Sequence, residues 1–200
     1  MKKIQIAGAG IAALGLAVLP TAGTFADVTD TVVVTINSSC SVTSSTGDNP
    51  TVVNNFSDSV TNGNYKEWAP VAATGGKLYV SCNSASGWHV SAVGIGTGDV
   101  VTDMKGTDGG TKIQTVASGS VPTTGATSAW GMKLAGSGVE SSYSSNYVAI
   151  PATSTKVAGG STAVSGNLIY TGYEVYVSPT QEAGTYTGIV QYTVSAGVSS

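Results

Sequence analysis

The sequence predicts an all-β fold, an immunoglobulin-like antiparallel β-sandwich of Greek-key type with one disulfide, and three observations carry that expectation. Short segments alternate apolar and polar residues with a period of two. Clusters of glycine, asparagine, serine and proline separate them at short intervals, and no segment sustains a 3.6-residue apolar period. Helix is therefore expected only as isolated turns. Short strands with no helices between them pack as a sandwich or a closely related barrel.

The first segment is expected to lie outside that domain. Met1-Lys2-Lys3 is followed by an apolar run from Ile4 to Leu19, interrupted only by Gln5, and then by Pro20 and a short polar stretch. This is the layout of a secretory signal peptide. Thr24 and Ala26 place small residues at the −3 and −1 positions of a cut before Asp27. Residues 1–26 are thus read as a removable signal and residues 27–200 as a single β-sandwich domain. The apolar run, about 16 residues, is shorter than the roughly 20 that cross a bilayer, so no membrane span is expected after cleavage. No cysteine follows the cut, and Ala196-Gly197-Val198-Ser199-Ser200 carries neither a hydrophobic span nor a basic cluster. The expected location is extracellular, at the cell surface, with the chain held there by non-covalent contacts.

Residues 30–37 (DTVVVTIN) set Val32, Val34 and Ile36 on one face and Thr31, Val33 and Thr35 on the other, a strand by period and by β-branched content. It leads into Cys40 and the short run Ser41-Val42-Thr43, then a loop over residues 44–50. Val52-Val53 is either a short strand or loop, and residues 54–68 are polar with scattered Phe56, Tyr65 and Trp68. Residues 77–82 (KLYVSC) place Leu78, Val80 and Cys82 on one face. After a turn through residues 83–87, Trp88, Val90 and Ala92 are in phase on a second strand, and the pair reads as a hairpin. Residues 111–117, 129–134 and 147–150 are further strand candidates between glycine-rich loops. The chain closes with residues 172–178, a turn over 179–184, and a long strand over 185–195 carrying Tyr186, Gly188, Val190, Tyr192 and Val194 on one face.

The two cysteines, Cys40 and Cys82, are expected to pair in an exported chain. A closed loop of about 43 residues corresponds to roughly 4 kcal/mol in the chain-entropy treatment.

Charge excludes one class of function and residue types exclude others. Only 10% of residues are charged, and arginine is absent. Removing Lys2 and Lys3 leaves six lysines against eleven acids, a net charge of −5. Nucleic-acid binding needs clustered positive charge and is not expected. The sole histidine, His89, lies out of phase with Trp88 and Val90 and so faces outward, away from any nucleophile. The cysteines are consumed by their bond, the acids form no recognisable pair, and no phosphate-cradling glycine motif is present. The chain is therefore read as no enzyme and as having no cofactor. Asp99, Asp103 and Asp108 cluster three carboxylates around a glycine-containing loop that could hold calcium, but without the helix-loop-helix spacing; a solvated loop is the preferred reading. Tyr143, Tyr147, Tyr170, Tyr173 and Tyr176 fall close in sequence and are read as core filling ahead of sugar stacking.

Two stretches carry a family resemblance. Gly87-Trp88-His89-Val90, after Val80-Ser81-Cys82-Asn83, and Ala183-Gly184-Thr185-Tyr186-Thr187-Gly188-Ile189-Val190-Gln191-Tyr192-Thr193-Val194 together resemble the WxL-type cell-surface domain of Gram-positive bacteria. Trp88 matches that family's Gly-Trp-x-Leu/Val motif. In the closing strand Tyr192 stands where the family has Trp, and Val194 where it has Leu. The resemblance implies non-covalent attachment to the cell wall through peptidoglycan, a binding or adhesive role with cell-wall glycan or other surface proteins as partners, and Trp88, Tyr192 and Val194 as motif residues at or beneath the binding surface. A second resemblance is to pilin and spore-coat-U-like subunits, which begin with a strand running into a cysteine, here Thr35-Ile36-Asn37-Ser38-Ser39-Cys40, and end on a Gly-x-Tyr/Phe strand. It implies a structural subunit of a surface fibre, pilus or coat. Assembly by strand donation needs a free arm ahead of the first strand, and Asp27-Val28-Thr29 is too short for one, which ranks this reading second.

Overall fold

Strands form where β-branched and aromatic residues alternate with polar ones, and their register decides which segments become neighbours. The computed structural model describes residues 38–43, 51–54, 58–96, 100–107, 110–117 and 119–197. The chain divides into two units, 1–35 and 36–200, and the described residues all belong to the second. The expected signal peptide, the mature start at Asp27 and the strand over 30–37 lie outside the described residues. So do Asp99 and Asp108.

The strands are β1 (Cys40–Thr43), β2 (Thr51–Asn54), β3 (Tyr65–Trp68), β4 (Gly76–Cys82), β5 (Trp88–Gly94), β6 (Met104–Gly106), β7 (Lys112–Thr115), β8 (Ala129–Gly136), β9 (Thr155–Gly160), β10 (Val164–Tyr176), β11 (Tyr186–Thr187) and β12 (Val190–Ala196). A single helical turn, α1 (Ser141–Ser144), interrupts them. The larger sheet runs β1-β4-β10-β8-β7-β6-β11 with β3 added to β10, and the smaller runs β2-β12-β5-β9. The two sheets form a β-sandwich-like arrangement whose core includes Val42, Leu78 and Val80 with Met132, Leu134 and Ile169 from the larger sheet, and Val90, Ala92, Val190 and Tyr192 from the smaller. No described helix is long and apolar enough to cross a membrane.

The long strand β10 organises the larger sheet. One edge is shared by β4, paired from Val164↔Cys82 to Thr171↔Gly76, and by β3, paired from Tyr173↔Trp68 to Tyr176↔Tyr65. Its other edge takes β8 from Ile169↔Gly136 to Tyr176↔Ala129. Cys40 and Cys82 are direct partners in the β1–β4 register and form the expected disulfide.

Four expectations are corrected. The sheets are antiparallel except for β7 and β8, which run parallel through Gln114↔Ala129 and Thr115↔Trp130. The connection between them, about a dozen residues, is long enough for the crossover that a parallel pair requires. Second, β4 and β5 are not a hairpin. They lie in different sheets, and the turn between them carries the chain across the sandwich. Leu78, Val80 and Cys82 meet Trp88, Val90 and Ala92 in the shared core, while each strand finds its hydrogen bonds elsewhere, β4 with β1 and β10, β5 with β12 and β9. Gly87 makes that crossing at φ 89°, and a side chain there would run into the Gly160 carbonyl. Third, the long closing strand breaks at Gly188 and Ile189, so that β11 joins the larger sheet and β12 the smaller. A Cβ on Gly188 would lie 2.6 Å from the Trp130 ring, and the Ile189 carbonyl accepts from Ile95 N–H at 3.0 Å instead of continuing a ladder with β6. The strand expected over 147–150 reduces to one bridge, Met132↔Val148.

Candidate functional site

Where β3, the end of β10 and the segment leading into β11 meet, the structure holds an open cleft of about 730 Å³. Its floor is apolar, formed by Trp68, Met104, Ile113, Val175 and Val177. One wall is the chain before β3, with Asp58, Ser59, Val60 and Asn62. The other is residues 182–188, with Glu182 and Tyr186.

Local hydrogen bonds fix the spacing of those walls. Asn62 Nδ2 donates to the Pro179 carbonyl at 3.3 Å and to the Gln181 carbonyl at 2.8 Å, tying one wall to the turn that begins the other. Gly63 N–H donates to the Val177 carbonyl at 2.7 Å and Val177 N–H to the Asn64 carbonyl at 3.0 Å. The Tyr186 hydroxyl donates to the Glu182 carbonyl at 2.7 Å and accepts from Gln181 Nε2 at 2.8 Å, which clamps the turn over 182–186. Tyr186 is also anchored by backbone pairing to Gly106 of β6.

The charged groups of the cleft are carboxylates. Lys66, hydrogen-bonded to Asp58, holds that carboxyl below its usual range, helped by the Ser59 N–H. Glu182 is exposed and takes part in no ion pair among the described residues. Among the described residues the lining contains no histidine or cysteine. Chemically the cleft offers two aromatic rings, aliphatic floor, an amide and negative charge: a binding surface held in shape before a ligand arrives.

The motif residues lie elsewhere. Trp88 is 4% exposed, Tyr192 0% and Val194 5%, so none of the three presents a surface to a ligand in this structure. The strand register brings them together on the inner side of the smaller sheet, with Val194 opposite Val90 and Ala196 opposite Trp88. The Tyr192 hydroxyl meets that of Tyr173 at 2.8 Å across the sandwich, and burial drives the pKa of both phenols well above the ordinary value. His89 does face away from the core, with Nδ1 2.9 Å from the Gly197 carbonyl. Asp103 is buried, accepts from Thr115 N–H at 3.2 Å and pairs with Lys112 at 3.2 Å, which makes it a fastening of the β6–β7 hairpin. Among the described residues no three acidic, histidine or cysteine side chains group as metal ligands. Of the clustered tyrosines, Tyr147, Tyr173 and Tyr176 are buried, and Tyr143 and Tyr170 half-buried.

Sequence reasoning missed the cleft. Trp68 and Tyr186 are aromatics near turns, which was the available signal, but more than a hundred residues separate them, and only the β3–β10 pairing brings them to one place. The fold and site define a disulfide-stapled β-sandwich-like protein with a preformed acidic and aromatic cleft. Comparison with protein-family models, curated proteins and solved structures yields no match.

Proposed function

We propose that the chain is an exported, non-enzymatic cell-surface protein, WxL-like in its motifs, that attaches non-covalently to cell-wall glycan through the cleft between residues 58–62 and 182–188. The observation that carries this reading is the pairing of Trp68 and Tyr186 with a polar rim on walls already tied together by Asn62. Aromatic faces pack against the apolar faces of sugar rings, and amides and carboxylates bond their hydroxyls. The secretory layout of residues 1–26 supplies the export that such a role needs. Buried Trp88, Tyr192 and Val194 then serve the binding surface indirectly, by holding the two sheets in register.

Retention on purified peptidoglycan sacculi tests this. The chain over 27–200 sediments with sacculi, and Tyr186→Ala, checked by circular dichroism to remain folded, lowers the affinity about tenfold. Undiminished retention of the folded variant removes the cleft from the reading. Concentration-dependent polymers of a chain that sacculi do not retain would instead support the fibre or coat subunit.

A further inference from the structure

We infer that the cleft recognises the peptide part of the wall polymer, by receiving a primary ammonium group on an aliphatic stem at Glu182. This rests on the wall-binding reading and specifies its ligand. The two cleft carboxylates differ in one respect: Lys66 already meets the charge of Asp58, whereas Glu182 faces no basic side chain within ion-pair distance among the described residues. Among the described residues no lysine lines the cleft, so a ligand carboxylate meets no counter-charge from them. The N-acetylated repeating sugars of a wall glycan are neutral or carboxylated. Positive charge enters such a polymer through amino groups of its peptides, on side chains not consumed by cross-linking.

The cleft fits that group in shape as well as in charge. Glu182 and Tyr186 line the same cleft and are joined through the Tyr186 hydroxyl and the Glu182 carbonyl, so the carboxylate comes with an aromatic ring in the same corner, a pairing that suits a cation. Val60 and Val177, which line the same cleft, offer apolar surface to an aliphatic stem. The hydrogen bonds of the Tyr186 hydroxyl to the Glu182 carbonyl and Gln181 hold this corner in place before binding, which lowers the ordering cost.

The test compares three preparations with the full mature chain: intact sacculi, sacculi whose amines have been acetylated, and glycan strands stripped of peptide by an amidase. Acetylation and stripping each weaken retention about tenfold. Glu182→Gln, an exposed and isosteric change, weakens binding to intact sacculi by a similar factor and is then insensitive to acetylation. Equal retention of stripped and intact material, or an unaffected Glu182→Gln variant, overturns the amine assignment while leaving glycan binding intact. Failure of the wild-type chain to bind any of the three overturns the wall-binding reading and this inference with it.

Discussion

Trp88 and Trp130 each sit in a slot that only glycine leaves open. A Cβ on Gly160 would come within 2.8 Å of Trp88 Nε1, and one on Gly138 within 3.4 Å of the far edge of the same ring. Trp130, stacked at 6.2 Å from Tyr173, donates from Nε1 to the Thr102 carbonyl at 2.9 Å and is closed over by Gly188. Part of the chain's glycine content thus shapes the core, beyond its use in turns. Replacing Trp88 by alanine empties such a slot and is expected to cost about 3–5 kcal/mol in a denaturant titration. Loss of wall retention in that variant therefore tracks unfolding, in contrast to Tyr186→Ala. Glu174 gives a second residue-scale prediction. It lies directly across from Glu67 in the β3–β10 register, and burial first, then the Glu67 charge, raises its pKa, against a smaller opposite pull from Lys133. The folded state consequently binds a proton more readily than the unfolded chain. The stabilisation from this group is complete below the ordinary carboxylate pKa and is lost as pH rises through the higher folded value. Glu174→Gln should raise stability at neutral pH by on the order of 0.5–1 kcal/mol and flatten the pH profile of the melting temperature above the ordinary carboxylate range, where the raised group loses its proton.

At the scale of elements, register decides more than propensity. The disulfide joins direct partners on β1 and β4, and β1 has only four residues with which to hold the edge of the larger sheet. Replacing both Cys40 and Cys82 by alanine is expected to lower stability by about 2–4 kcal/mol, and adding reductant to the wild type should reproduce the loss in guanidinium titrations. Strands rich in alternating apolar residues were legible: β4, β5, β8 and β12 lie where the period of two places them. β9 (TKVAGG) and the first half of β10 (VSGNL) were not, because glycine and small polar residues carry no alternation there and the strands are held by backbone pairing to a distant segment, β9 to β5 and this half of β10 to β4. β6 and β11 are too short to show a period, and they pair just before the chain breaks at Gly188 and passes to the smaller sheet.

At the scale of the molecule, the cleft follows from the lengths and partners of those strands. β10 extends past the last β4 pair at Thr171, and β3 takes over the same edge, so the segment before β3 rises beside the turn that leads into β11. Wall retention, its dependence on Tyr186 and its response to amine acetylation all test this region, which no single stretch of sequence contains.

The sequence by itself determined the all-β class, the outward phase of His89, and that Trp88 shares a face with Val90 and Tyr192 with Val194, because strand periodicity is a local property that any window of six or seven residues displays. The disulfide followed because Cys40 and Cys82 are the two cysteines the chain has. That Trp88, Tyr192 and Val194 lie buried was left to the structure. Only the tertiary structure decided that β4 and β5 belong to opposite sheets, that the closing strand divides at Gly188, and that Trp68, Asn62, Glu182 and Tyr186 share one cleft. Those outcomes depend on which distant strand satisfies each backbone edge, and a pattern of apolar residues says which side of a strand faces inward without saying which strand lies beside it.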